Sequence, residues 1–248
     1  MKISIVTVTI DSDAVLNKTV ESVRHQSHVD IEHIVIDGNK NRKIPRGLVG
    51  NLIYHEPKGI YEAINFGLTQ TTGEVVGLLH GGDAFASSII LETVSKAFEE
   101  DPALDFVYGD IVFVSRQSNR DGRIYHALNF RPSHLAFGMA PPHPSLYIRR
   151  KAMEKIGKYN EEFKLAADLD MWMRIFADKS LKGRYLPEIF VRMSTGGAST
   201  SLKGRLYANN REKLMALRLN GFSPNPLKLL LKYILIARDA LFAKSPKK

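Results

Sequence analysis

Acidic residues follow three stretches of the chain that have the composition of buried β-strands. Asp11 follows an apolar run that begins at Ile3, Asp37 ends a second run, and Asp83 follows His80-Gly81-Gly82 after a third. In an open parallel sheet, ligands bind beyond the carboxyl ends of the strands. One acid after a strand is usually a turn residue or a helix cap, whereas three at one edge favour a binding site.

A site for a nucleoside diphosphate is the chemistry that these residues favour. The sequence has no G-x-G-x-x-G after the first strand and no G-x-x-x-x-G-K-[ST], so classical dinucleotide and P-loop binding are disfavoured. A diphosphate can instead be held through a divalent ion with carboxylate and water ligands. Asp83 is the candidate ligand, and Gly81 and Gly82 would let the backbone approach a pyrophosphate closely.

Alternating strands and helices are predicted to position these residues. Strands are expected at 3–8, 33–36, 51–55 and 75–79, and helices with one apolar face at 16–23, 60–68 and 88–98. This order predicts an α/β fold with a mostly parallel sheet flanked by helices. The second half is less regular: we expect a strand at 105–115 broken at Tyr108-Gly109-Asp110, a helix at 168–177 and a strand at 183–191.

Composition excludes several classes of protein. The chain has 248 residues, 44% hydrophobic and 25% charged, which is typical of a globular protein and excludes wholesale disorder. It has no cysteine, so disulfides and thiolate metal sites are absent. The N-terminal segment predicts a strand rather than a signal peptide. We therefore expect a cytoplasmic location.

The positive charge is concentrated after residue 200. The net charge is +9, and residues 201–248 hold seven Lys and four Arg against one Glu and one Asp, which leaves the first 200 residues neutral. Helices are expected at 206–219 and 227–243, the second with an apolar and a basic face. Its length and charges do not suit a bilayer span, but it could lie on an anionic membrane surface. A solvated tail, a helix packed on the domain and a dimer contact are the alternatives.

Several short motifs, in order along residues 3–200, carry a resemblance to a known family. They are Val6-Thr7-Val8-Thr9 with Asp11-Ser12, Glu21–Ser27, Glu32–Gly38, Glu56–Asn65, Thr72–Asp83, Tyr108-Gly109-Asp110, Pro142–Ser145, Ala167–Asp170 and Gly196–Ser199. With them the chain resembles family 2 glycosyltransferases of the GT-A fold, and most closely the bacterial exopolysaccharide and lipopolysaccharide branch. The resemblance implies a GT-A domain at 1–200 with a basic helical extension at 201–248. It also implies inverting transfer of a sugar from a nucleotide sugar, often a UDP-sugar, to a hydroxyl of a surface glycan or lipid-linked acceptor.

The resemblance also implies roles for individual residues. Asp168 matches the general base, and Asp83 matches the acid that binds Mg²⁺ or Mn²⁺. The expected donor-binding residues are Thr9, Asp11, Asp37, Gly38, Lys58, Gly59, Asn65, Gly82 and Asp83, and Tyr108, Asp110 and His143 are expected on the acceptor side. Asp170, two positions after Asp168 on the same helix, is expected to pair with Arg174, and Trp172 is expected in the core.

Two departures from the family pattern affect these implications. His80-Gly81-Gly82-Asp83 retains one acid where the family usually has an Asn-Ser-Asp-Asp or Asn-Ser-Gly-Asp motif, so a transferase without a strong metal site is one alternative. A catalytically inactive relative that binds nucleotide sugars or glycan is a second, although the presence of both Asp83 and Asp168 disfavours it. A basic nucleic-acid-binding protein is a third, and the neutral first 200 residues disfavour it.

Overall fold

The computed structural model describes residues 1–10, 13–40, 50–115, 120–195, 204–227, 229 and 231. In this part of the chain nine strands form one sheet: β1 (Ile3–Thr9), β2 (Ile31–Asp37), β3 (Asn51–Tyr54), β4 (Val75–Leu78), β5 (Ala84–Phe85), β6 (Phe106–Val114), β7 (Asp121–Tyr125), β8 (Tyr147–Arg149) and β9 (Gly183–Ser194). The α-helices are α1 (Asp13–Arg24), α2 (Ile60–Thr69), α3 (Ile90–Glu100), α4 (Arg150–Ile156), α5 (Ala167–Ala177) and α6 (Gly204–Leu219). Short 3₁₀ helices cover Pro132–Phe137 and His143–Ser145.

The N-terminal half of the sheet is parallel, as the strand–helix alternation predicted. The strand order is β3-β2-β1-β4-β8-β6-β9-β5, and β7 pairs with β6 outside this order. Strands β3, β2, β1 and β4 all run in the same direction. Every residue of β1 is buried, which explains why this strand is a β-branched and apolar run rather than an alternating one.

The second half makes the sheet mixed rather than mostly parallel. Strand β8 lies antiparallel between β4 and β6, and β5 and β7 also pair antiparallel with their neighbours, whereas β6 and β9 are parallel. The prediction that the strand breaks at Tyr108-Gly109-Asp110 is wrong, because β6 continues through these residues. The irregularity lies in the pairing, because the register with β9 shifts on both sides of Asp110.

Helices cover both faces of the sheet. Side chains alternate along β1, so that Ile3 and Ile5 join a core with α3, while Val6 and Val8 join a larger core with α2 and α5. Helix α2 approaches β1 closely: a Cβ atom at Gly67 would lie 2.5 Å from Cγ1 of Val6. The larger core also contains Trp172, which is fully buried, as predicted.

The start of the predicted C-terminal extension packs into the larger core. Ala216 and Leu217 of α6 are fully buried there, and Leu229 beyond the helix is 2% exposed. This corresponds to one of the alternatives for the tail, a helix packed on the domain. Most of the second predicted helix, at 227–243, lies outside the described residues.

Candidate active site

Thr9 and Asp37 lie side by side where two parallel strands end. They are paired residues in the register of β1 and β2, and the N–H of Gly38 donates to the Thr9 carbonyl over 2.8 Å. Asp37 is 3% exposed, and its Oδ1 accepts the N–H of Asn39 at 2.8 Å. The strand end and this short turn together fix the Asp37 carboxylate at the sheet edge. Asp11 lies outside the described residues.

The turn from His80 to Asp83 lies against the same edge. The N–H of Gly81 donates to the Val8 carbonyl over 3.1 Å, and a Cβ atom at Gly81 would lie 2.6 Å from Thr9 Oγ1. Gly82 has a φ of 95°, a conformation that glycine adopts at no steric cost. Both glycines are therefore required for the turn to fold against β1, and this brings Asp83 to the edge occupied by Thr9 and Asp37.

Two hydroxyl residues that the sequence analysis did not identify hold this turn. Thr19 of α1 accepts the Gly82 N–H at 2.9 Å and donates to the Asp83 carbonyl at 2.7 Å. At the end of β9, Ser194 donates its N–H to Asp83 Oδ1 over 2.9 Å and its hydroxyl to the Gly82 carbonyl. The available signal for Thr19 was its place between Leu16 and Val20, on the apolar face of a predicted helix. Ser194 offered no comparable signal.

The surroundings of Asp83 suit an ion held mainly by substrate. Among the described residues, no three His, Asp or Glu side chains are grouped as a metal site. Asp83 is 5% exposed, and the Ser194 N–H engages one of its oxygens. Mg²⁺ commonly uses one or two carboxylates and takes its other ligands from phosphates and water. The residues present therefore fit a divalent ion that binds together with a nucleoside diphosphate, with Asp83 as its protein ligand.

Lys58 and Gly59 lie exposed at the start of α2, immediately after β3 and its connection. A Cβ atom at Gly59 would meet nothing within 4 Å, so this position is open to an approaching ligand. The first N–H groups of a helix have no partner within the helix and favour anions. A lysine at this point is suited to a phosphate.

Asn65 is engaged with the loop that leads to α5. Its Oδ1 accepts the Tyr159 N–H at 2.9 Å, and its Nδ2 donates to the Tyr159 carbonyl at 2.9 Å and to Glu161 Oε1 at 2.8 Å. Asn65 is 3% exposed. The hydrogen bonds of the Asn65 amide thus connect α2 to this loop.

Asp168 lies in the first turn of α5, and its Oδ1 accepts the Leu169 N–H at 2.8 Å. Burial raises the pKa of its carboxyl, while the Leu169 N–H and the charge of Lys213 oppose this rise. The same carboxylate contributes to the raised pKa values of Tyr61, Tyr125 and Tyr159. Asp168 is thus coupled electrostatically to groups of α2, β7, α6 and the loop after α4.

Asp170 performs a different task from Asp168. Its Oδ2 forms an ion pair with Nη2 of Arg174 at 2.9 Å, and its Oδ1 accepts a hydrogen bond from Nδ2 of Asn220 at 2.8 Å. Arg174 in turn donates to the carbonyls of Ile156 and Lys158. The predicted pairing of Asp170 with Arg174 is confirmed, and both oxygens of Asp170 are occupied in holding α5 to its neighbours.

His80 and His143 form a half-buried pair, and His80 is coupled electrostatically to Asp168. Their ring centroids are 6.1 Å apart, and His143 also meets Tyr159 edge to face at 5.5 Å. Burial lowers the pKa of His143 to about 4, and burial together with His143 lowers that of His80 to about 3. Both imidazoles are therefore neutral at pH 7. Neither ring nitrogen of His143 has a hydrogen-bond partner among the described residues.

Asp110 lies level with His80 across the sheet. Val107 of β6 and Gly77 of β4 both pair with Tyr147 of β8, so these two residues are at the same level on two strands that run in the same direction. Asp110 comes three residues after Val107, and His80 comes three residues after Gly77. Asp110 is buried, and its carboxylate forms three hydrogen bonds. The partners are Nδ1 of His126 at 2.7 Å, the N–H of Ala127 at 2.7 Å and the hydroxyl of Tyr185 at 3.0 Å. It fixes the half-exposed His126 at this edge, a residue that the sequence analysis did not identify.

Tyr108 belongs to an aromatic cluster on the same side of the sheet as α5. Its ring lies 5.5 Å from Trp172, 6.4 Å from Phe176 and 5.7 Å from Tyr185. Burial raises the pKa of its phenol. The ring lines a surface cavity of about 170 Å³ with Phe176 and Lys179. Its contacts connect it to α5, while Asp110 lies nearer to the strand-end edge.

Comparison with known proteins agrees with this arrangement. The chain is 27% identical over 209 residues to a PGL/p-HBAD biosynthesis glycosyltransferase of Mycobacterium bovis (strain BCG / Pasteur 1173P2), covering 80% of this chain and 79% of the relative. Staphylococcus aureus TarS (residues 1–349, in complex with UDP-GlcNAc) has a TM-score of 0.65 at 16% identity, over 89% of this chain and 65% of that one. The mannosyltransferase PcManGT of Pyrobaculum calidifontis (with GDP-Man and Mn²⁺) has a TM-score of 0.61 at 15% identity, over 99% and 76%.

These structural likenesses show the fold, which is the expected GT-A fold. The sequence model of glycosyl transferase family 2 matches residues 4–158, more than half of the chain. The matched segment contains β1, the Asp37 strand end and the His80–Asp83 turn, and this protein belongs to glycosyl transferase family 2.

Proposed function

We propose that this glycosyltransferase moves a sugar, with inversion, from a nucleotide-sugar donor to a hydroxyl of a surface glycan or lipid-linked oligosaccharide. The observation that carries the proposal is the position of Asp37 and of the His80–Asp83 turn at the ends of neighbouring parallel strands, together with Asp168 in the first turn of α5. A UDP-sugar is the first candidate donor. The similar proteins TarS and PcManGT have structures in complex with UDP-GlcNAc and GDP-Man, respectively, and the mycobacterial relative is named for PGL/p-HBAD biosynthesis.

In this proposal the donor lies along the ends of β1, β2 and β4. The Asp37 carboxylate accepts an N–H of the nucleotide base, a charge-assisted hydrogen bond, beside Thr9 and Gly38. Lys58 and the start of α2 attract the phosphates. A divalent ion held by Asp83, when bound, neutralises charge on the departing diphosphate.

Asp168 is proposed as the general base. A sugar hydroxyl is a poor nucleophile at neutral pH, so its proton must leave as the new glycosidic bond forms. One carboxylate suffices for an inverting displacement, because no covalent sugar–enzyme intermediate is formed. Burial raises the pKa of Asp168, and a carboxylate with a raised pKa is the stronger base. Asp170, with both oxygens occupied, acts as a support.

The experiment combines donor binding with the Asp168→Asn exchange. UDP-glucose, UDP-N-acetylglucosamine and GDP-mannose, each with and without Mn²⁺, are screened by thermal shift, since a ligand of the native state raises its stability. Asp168→Asn should keep that shift while transfer falls by roughly 10²- to 10⁴-fold. Asp170→Asn is the comparison: it should destabilise the fold. Full transfer activity in Asp168→Asn would contradict the base assignment.

A peripheral contact of the tail with an anionic membrane surface is a further part of the proposal. Among the described residues, no helix is long and apolar enough to cross a bilayer. We propose that the contact comes from the basic helix predicted at 227–243, attracted by anionic headgroups. The buried Leu229 assigns the start of this segment to the domain core.

A further inference from the structure

Helix α6 holds the segment that leads into α5. The Glu212 carboxylate accepts three consecutive backbone N–H groups, those of Lys164 at 3.1 Å, Leu165 at 2.8 Å and Ala166 at 3.1 Å. The residue before α5 is Ala166, which has no side chain able to cap the helix. Glu212 thus supplies, from another helix, the negative charge that favours a helix N-terminus.

A second set of contacts fixes α6 along α5. Asn220, just after α6, donates to Asp170 Oδ1 at 2.8 Å. Between the two polar contacts, Ala216 and Leu217 are fully buried in the core that contains Trp172. The contacts of Glu212 and Asn220 lie on either side of Asp168 in sequence, so a displacement of α6 would displace Asp168.

Lys213, next to Glu212, adds an electrostatic contact. Its charge lowers the pKa of Asp168, against the effect of burial. The other titratable groups that face Asp168 come from α2, the end of β4, β7 and the loop after α4; they are Tyr61, His80, Tyr125 and Tyr159. His80 is neutral at pH 7 because burial lowers its pKa to about 3. Lys213 is therefore the charged group of this set at pH 7.

We propose that Glu212 is a positioning residue for Asp168, which makes α6 a working part of the catalytic site. The proposal rests on the proposed function, in which Asp168 takes the acceptor proton. Helix α6 lies beyond residues 4–158, the segment matched by the family. Loss of the Glu212 contacts would release the segment that leads into α5 and displace the Asp168 carboxylate.

The test uses the full chain with Glu212→Ala and Glu212→Gln, and with Arg211→Gln, an exposed neighbour on α6, as the matched control. Amide hydrogen exchange at residues 164–166 should accelerate at least tenfold in Glu212→Ala and less in Glu212→Gln, which keeps one acceptor oxygen. This measurement does not require a known acceptor.

Activity supplies the second measurement, as nucleoside diphosphate release from whichever of the three screened nucleotide sugars stabilises the protein most. Glu212→Ala should lower kcat by about 10- to 100-fold, the effect of a misplaced catalytic group, with KM for the donor within twofold. Unchanged exchange at residues 164–166 or an unchanged kcat in Glu212→Ala would overturn the proposal. Full activity of Asp168→Asn would instead overturn the proposed function, so the two failures are distinguishable.

Discussion

Replacement of Asn65 by alanine is expected to destabilise the protein while leaving the donor ligands in place. The family resemblance assigns Asn65 to donor binding, but its amide makes three hydrogen bonds to Tyr159 and Glu161. Alanine would leave the Tyr159 N–H and carbonyl buried without partners, at about 1–3 kcal/mol each. The sum is about 2–6 kcal/mol, which lowers Tm by roughly 4–24 °C for a chain of this size.

The measurement is thermal and urea unfolding of Asn65→Ala beside Asn160→Ala, a control in the same loop. Asn160 accepts the Glu162 N–H in an exposed turn, where water can replace the lost oxygen, so its removal should cost less than about 1 kcal/mol. Calorimetry with UDP and Mn²⁺ at 10 °C, where both variants are folded, should show affinities within about threefold of the parent. A more than tenfold loss of UDP affinity in Asn65→Ala, with Tm lowered by less than 2 °C, would refute this reasoning and make Asn65 a ligand.

Three further outcomes are expected. Burial acts to raise the pKa of Glu32, but hydrogen bonds from Ser4, Thr72 and Lys2 outweigh it and lower the pKa from 4.5 to about 2. Glu32→Gln should therefore lower the free energy of unfolding by about 1–2 kcal/mol above pH 5, after allowance for solvent screening, and this difference from the parent should shrink as the pH falls towards 2. Urea unfolding at pH 7, 4 and 3 measures the difference. A difference that does not depend on pH would contradict the prediction. Asp83→Asn keeps an oxygen for the Ser194 N–H but lacks the charge, so Mn²⁺ should no longer increase UDP affinity although Tm changes by only a few degrees; an unchanged Mn²⁺ effect would exclude Asp83 as the ligand. Truncation after residue 231, which retains the buried Leu229, should abolish flotation with anionic liposomes without lowering Tm, and a full-length protein that does not float would disprove the membrane contact.

The N-terminal half of the fold was predictable because its signals are local. An all-buried strand such as β1 needs a run of apolar and β-branched residues, and a helix such as α2 needs apolar residues three and four apart. Parallel strands then place Asp37 and the His80–Asp83 turn at one edge through topology alone. No contact distant in sequence was needed for this step.

The mixed second half was not predictable by the same means. Strand β8 has three residues, too few to show a period, yet its antiparallel position joins β4 to β6. The register shift around Asp110 depends on β9, which is about 80 residues further along the chain. A pattern within β6 indicates an irregularity at this point, but it cannot distinguish a broken strand from a shifted pairing.

Residues that support the site were missed for a related reason. Thr19, Ser194 and Glu212 act on backbone groups that are 46 to 112 residues away in sequence. Each has an ordinary local role as well, in a helix or at a strand end, so its type and spacing carry no sign of the distant contact. Asn65 is the converse case: its place in a motif suggested a donor ligand, and its amide is hydrogen-bonded to Tyr159 and Glu161, so its role in donor binding stays a prediction.

The choice between Asp168 and Asp170 illustrates how local geometry and distant contacts combine. Residues two apart on a helix face different directions, so the sequence predicts that at most one of them meets the substrate. The contacts of Asp170 with Arg174 and Asn220 then identify which one is the support. Asn220 follows α6, the same helix that supplies Glu212 and Lys213.

The charge distribution has a different meaning once α6 is included in the domain. Sequence alone assigned the whole basic excess after residue 200 to an extension that faces outward. Glu212, one of the two acids in that region, instead binds the backbone that leads to Asp168, and the charge of Lys213 acts to lower the pKa of Asp168. The proposed donor edge takes Asp37 and Asp83 from the segment that the family shares, residues 4–158, whereas the proposed base Asp168 and its support Glu212 follow that segment. We therefore expect changes in α6 to alter proton transfer without altering the binding of the nucleotide.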